Sequence, residues 1–89
     1  LNKQRRAELD KAIALIQTAR ENFDEAIGII QECASEEREG FDNLSEGLQA
    51  TERGQSMEAA ADSLDEAVGE LEGLDFDTIE DLIGAAMGE

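Results

Sequence analysis

Residues 9–34 read LDKAIALIQTARENFDEAIGIIQECA, and the spacing of their apolar side chains decides the fold. Leu9, Ile13, Ile16, Phe23, Ile27, Ile30 and Ala34 recur at alternating steps of four and three, with Arg20 at the one polar position in the row. This is the seam of a helix with period 3.5, not the alternation of a strand. Beside the seam stand Ala12, Ala19, Ala26 and Cys33, small residues that let a neighbouring helix come close, and beyond them Leu15 and Ile29. These rows adjoin on a helical wheel. The apolar face therefore covers about half the circumference, wider than the roughly 100° stripe that one packing partner fills. The first helix is expected to touch more than one other helix. The surface expected to make a homodimer is Leu9, Ala12, Leu15, Ile16, Ala19, Arg20, Phe23, Ala26, Ile29 and Ile30.

Cys33, in the row of small residues, and Arg20, in the seam, carry expectations of their own. Cys33 reads as a small buried apolar residue, with no histidine anywhere in the chain to activate it. Arg20 has two readings. Its long stem can leave the seam and pair with Asp24, four residues on. Alternatively, it pairs across a dimer interface and fixes the register, as single polar seam residues do in coiled coils.

Outward from residues 9–34 the pattern sets the rest of the architecture. The seam fails at Glu37, and Gly40 suits the position just past a helix end, so the first helix is expected over about 4–39, roughly 50 Å at 1.5 Å per residue. An irregular bend with one helical turn is expected over residues 40–50. A second helix follows over about 51–72, with Met57, Ala61, Leu64, Val68 and Leu71 as its seam. It lacks the outer apolar row, so one main partner suffices. Thr51 is the favoured N-cap, Glu52 lies in the first turn where the helix dipole favours a carboxylate, and Gly73 is the stop. A short helix over about 77–87 closes the chain. Asp77 with Glu80 resembles a capping box, and Phe76, Ile79, Leu82, Ile83, Ala86 and Met87 form its apolar face. The expected fold is a single all-α domain over residues 1–89: a long antiparallel helical hairpin with an alanine-rich, coiled-coil-like interface and a short C-terminal helix, dimerising into a helical bundle.

The bend carries a motif. Phe41, Leu44 and Leu48 keep the phase of the first helix and are expected to close the seam, while Asn43 and Ser45 can turn the chain by bonding to backbone. Phe41, Asp42, Asn43, Leu44, Glu46, Leu48 and Gln49, followed by Glu52, Arg53 and Gly54, resemble the turn of a family of small, acidic, largely uncharacterised bacterial and phage proteins. That family reads Phe/Tyr-Asp-Asn-Leu/Met-Pro-Glu-x-Leu-Gln and then a Ser-Glu-Arg-Gly cap. Ser45 stands here at the proline position and Thr51 at the serine. The resemblance implies a helical hairpin and a phage or prophage setting, with the turn motif Phe41, Asp42, Asn43, Leu44, Leu48, Arg53 and Gly54 as its marked residues. It implies no activity.

Composition excludes more than it suggests. The 89 residues include no His, Pro, Trp or Tyr, and the formal net charge is −16. Four of the seven basic residues fall in the first eleven positions, so the remainder is more acidic still. Such a surface repels nucleic acid and anionic membrane, and it either suits a basic protein partner or simply keeps a small oligomer soluble. The KQRR cluster at residues 3–6 lacks neighbouring aromatics, so direct nucleic-acid binding is not expected. The lone Cys33 makes no intrachain disulfide, and no apolar run is long enough to span a bilayer or form a signal-peptide core, which points to the cytoplasm. No catalytic residue, metal site or cofactor is expected. Zinc sites need Cys and His at set spacings, and DFDTIED at residues 75–81 lacks the glycine of a calcium loop and has Ile79 where an oxygen ligand belongs.

Two functions are weighed, beside a third reading as a structural spacer or assembly factor inside a larger complex. The first is a non-enzymatic interaction module acting as a homodimer on a protein partner. The second is a nucleic-acid mimic that blocks a host DNA- or RNA-binding protein. A hairpin of about 45 Å carrying the excess acid has one charge per roughly 2.5 Å, against about 1.7 Å for duplex DNA.

Overall fold

The computed structural model describes residues Leu1–Glu89 as four helices with no strand: α1 (Lys3–Asp42), α2 (Glu46–Gln49), α3 (Glu52–Glu72) and α4 (Phe76–Met87). The chain groups into two compact units. Leu1–Asp24 with Leu74–Glu89 forms one, and Glu25–Gly73 the other. The long helix α1 contributes its first part to one unit and its second part to the other.

In the unit Glu25–Gly73, α3 runs antiparallel to α1. Arg38 of α1 binds Asp62 of α3 at 3.0 Å and also binds Asp65, one turn along. The core here is small. Ala34 is 2% exposed, Ala61 0% and Val68 6%, and Gly54 is the fourth buried residue. Met57, Leu64 and Leu71 complete the α3 seam as half-buried residues, and Ile27 and Ile30 answer from α1. Alanine at the buried points lets the two helices approach, which is how a narrow helix such as α3 gains contact without large side chains.

Two boundaries differ from the sequence reading. Helix α1 does not stop at Gly40 but continues to Asp42, with the Asn43 N–H still donating to Glu39 O at 3.0 Å. Gly40 adopts no left-handed conformation. Its bareness serves packing instead: Met57 Cε lies 2.8 Å from where a β-carbon would stand. The bend is correspondingly shorter. Leu44 N–H donates to Phe41 O at 3.0 Å, Ser45 caps α2 with its Oγ accepting from Leu48 N–H, and no side-chain bond of Asn43 takes part. The expected cap of α3 is present. Thr51 is extended and its Oγ1 accepts from Gly54 N–H at 3.3 Å, with Glu52 in the first turn and Gly73 at the end.

In the other unit, α4 lies antiparallel to the first part of α1. Its N-cap is Asp75, not Asp77 as the capping-box reading had it. Asp75 Oδ1 accepts from Thr78 N–H at 2.9 Å and Oδ2 from the Thr78 hydroxyl at 2.6 Å. Capping at Asp75 starts the helix on Phe76 and leaves its ring against Phe23, centroids 5.7 Å apart. The bonds from the Thr78 hydroxyl and then its amide hold the Asp75 carboxyl below its ordinary pKa. A depressed folded-state value means that the cap is fully effective above the unfolded value of about 4 and fails as pH falls through the lower one. Following the Thr78 amide resonance through an acid titration is expected to show the cap intact at pH 5 and released only below the ordinary carboxylate range. An unchanged Thr78 shift in the Asp75→Ala variant would contradict the assignment.

Candidate interaction surface

The half of α1 turned inward uses its seam. Leu9, Ile13, Ile16, Arg20, Phe23, Ile27 and Ile30 are all half-buried, covered within the chain. Ala12, Ala19 and Ala26 lie at the edge of that cover, also half-buried. The outer row is bare: Leu15 is 72% exposed and Ile29 58%. Cys33, expected to be buried, is exposed. The contact in its unit centres on Ala34, and α3 has no outer apolar row to wrap round as far as Cys33.

Arg20 pairs neither with Asp24 nor, within the chain, with any seam residue. Its guanidinium reaches Asp77 of α4 at 2.5 Å. The hydrogen bond and charge of Asp77 raise its pKa further, with smaller help from the charges of Glu80 and Asp24. Arg6 donates from Nε to the Met87 carbonyl at 2.8 Å, placing a cation at the negative end of the α4 dipole. Sequence spacing could find Asp24 at i+4, but not a partner 57 positions away.

Helix α4 is apolar on more of its circumference than α1 covers. Phe76, Glu80, Ile83 and Met87, at steps of four and three, are half-buried. Of the six residues of its apolar face, Phe76, Ile83 and Met87 are thus half-buried, whereas Ile79 is 44% exposed, Leu82 67%, and Ala86 is exposed too. Glu80 takes a place on the inner row, and its Oε1 is shut from solvent without a hydrogen-bond partner. An unpaired oxygen of this kind weakens the seat of α4.

The turn motif is structural in its main parts. Phe41 is half-buried and its carbonyl accepts from Gln49 Nε2 at 3.1 Å. Leu44 is half-buried, whereas Leu48, expected to close the seam, is 53% exposed. Asp42, Asn43 and Arg53 are exposed. The motif residue that sequence reasoning undervalued is Gly54, buried where α3 passes the α2 backbone.

The acid lies outside. Of the 23 Asp and Glu residues, all but the half-buried Glu37 and Glu80 are exposed. Ion pairs engage only Glu8, Asp62, Asp65 and Asp77 among them, which leaves most of the negative charge uncompensated. No three His, Cys, Asp or Glu side chains are placed to hold a metal ion, and no helix is long and apolar enough to cross a membrane. No protein-family model, curated protein or solved structure matches the chain.

Proposed function

We propose that this chain is a small, acidic, non-enzymatic interaction module that pairs with a second copy of itself and offers its acidic surface to a protein partner. The observation that supports this most directly is the bare apolar row of α1, with Leu15 72% exposed and Ile29 58%. The turn motif's resemblance to bacterial and phage hairpin proteins favours a phage or prophage setting.

The second reading is a nucleic-acid mimic acting on a basic host protein. It is favoured by the exposure of nearly every carboxylate with so few paired cations. The two readings differ in salt. Self-association through apolar contact between chains of charge −16 strengthens as salt screens their repulsion. Capture of a basic nucleic-acid-binding protein weakens steeply over the same range. Light scattering from about 50 to 500 mM salt, with affinity capture from the native host at both ends, is expected to show a dimer favoured at high salt. A chain monomeric at every salt concentration removes the first reading, and a low-salt capture without any nucleic-acid-binding protein removes the second.

A further inference from the structure

The two units are held by different means. The unit Glu25–Gly73 contains all four buried residues, Ala34, Gly54, Ala61 and Val68. The unit Leu1–Asp24 with Leu74–Glu89 contains none; Phe76, Glu80, Ile83 and Met87 of α4 and the α1 seam are only half-buried. Contact of that kind removes less apolar surface from water, so α4 loses less than α3 by leaving its seat. A helix of 12 residues is marginal on its own, so leaving the seat and unravelling go together for α4.

The polar groups sharpen this contrast. Glu80 stands on the inner row between Phe76 and Ile83, and its Oε1 is shut from solvent without a partner. Closing α4 on α1 strips that oxygen of water and gives it no hydrogen bond, a cost that the open state does not carry. Two cations of α1 act the other way. Arg20 binds Asp77 at 2.5 Å, and Arg6 donates to the Met87 carbonyl at 2.8 Å. The charges of Glu80 and of Asp24 also fall on Arg20. The segment Leu74–Glu89 brings no cation of its own, only Asp75, Asp77, Glu80, Asp81 and Glu89. Arg20 thus offsets carboxylates from both helices at once. Without it, Asp77 and Glu80 of α4 and Asp24 of α1 are left as neighbouring like charges.

We propose that α4 is a strap, which opens from α1 and closes again while the pairing of α1 with α3 stays formed. Arg20 is its clasp, and Glu80 keeps the closed state weak. The open state bares Phe23, on which Phe76 sits when the strap is closed. The proposal concerns contacts within one chain and does not depend on the homodimer reading.

Amide hydrogen exchange of the full chain, resolved by residue with NMR at neutral pH, is the test. After correction for intrinsic rates, residues 80–87 are expected to exchange about a hundredfold faster than residues 61–68 of α3. Arg20→Gln is expected to speed the exchange of residues 80–87 by a further factor of about ten, and Glu80→Leu to slow it by about ten. Both variants are expected to leave residues 61–68 unchanged. Leucine and glutamate differ little in helix propensity, so slowing by Glu80→Leu reports the seat of α4 rather than the helix alone. Equal protection of α3 and α4 overturns the proposal, because the chain then opens only as a whole. A variant that shifts both helices alike overturns it as well. So does an Arg20→Gln chain whose α4 exchanges no faster, or a Glu80→Leu chain whose α4 exchanges no more slowly.

Discussion

Gly54→Ala is expected to destabilise the protein by about 2–3 kcal/mol, since forcing extra volume into a packed site typically costs 1–3 and here no side chain can yield. A β-carbon at Gly54 would lie 2.5 Å from Gln49 O, 2.6 Å from Leu48 O and 2.8 Å from Gln49 Cα. All three are backbone atoms. The Thr51 cap would have to open too, because its Oγ1 is held by Gly54 N–H, while the Thr51 hydroxyl donates to Leu48 O at 2.5 Å. Gly40→Ala is the contrasting case. Its β-carbon would meet only Met57 Cε, the free end of a flexible side chain. Alanine is the better helix former by up to about 1 kcal/mol, so Gly40→Ala is expected to be neutral or mildly stabilising. Thermal melts followed by circular dichroism check both. A domain of this size loses about 4–8 °C of Tm per kcal/mol, so Gly54→Ala is expected to melt more than about 8 °C lower. Equal melting of the two variants would contradict the account of both glycines.

Ala61→Leu is expected to cost a similar amount, about 2–3 kcal/mol, by pushing α3 away from α1. Ala61 is 0% exposed and Ala34 2%, so neither helix has room for a larger side chain. The displacement would also pull Asp62 and Asp65 from Arg38, whose pKa is raised by their hydrogen bonds, that of Asp65 first. Those pairs are exposed and contribute little to stability themselves, but they report the helix separation. A lower melting temperature together with loss of the Arg38 contacts in a structure of the variant is the expected result. Unchanged stability would mean that α1 and α3 are less closely packed than Ala61 and Ala34 imply.

The parts of this fold that were legible in the sequence are those set by local chemistry and long periodicity. The seam from Leu9 to Ala34 repeats often enough to fix both helix and face, and Thr51 offers a capping hydroxyl three residues before a glycine amide. The misreadings concern choices that only a distant segment can make. Gly40 as a helix stop and Gly40 as a close-contact point look alike in sequence, and Met57 decides between them. Asp75 and Asp77 both flank Phe76, and the seat of that ring on Phe23 favours the earlier cap. Cys33 is exposed because α3 is narrow. For the candidate surface, the spare row of Leu15 and Ile29 was readable from the wheel, but the inward side of α4 was not. Six apolar residues cover too wide an arc of that helix to say which ones turn inward.

No large side chain in this protein is fully buried, and the tightest points of the unit Glu25–Gly73 are two alanines, one valine and a glycine. Unfolding therefore uncovers little hydrocarbon from each residue. The heat capacity change of denaturation follows that hydrocarbon, so it falls below the usual 12–15 cal/mol/K per residue, and the curve of stability against temperature flattens. Such a protein gives up little of its stability on cooling and approaches its melting point along a shallow slope.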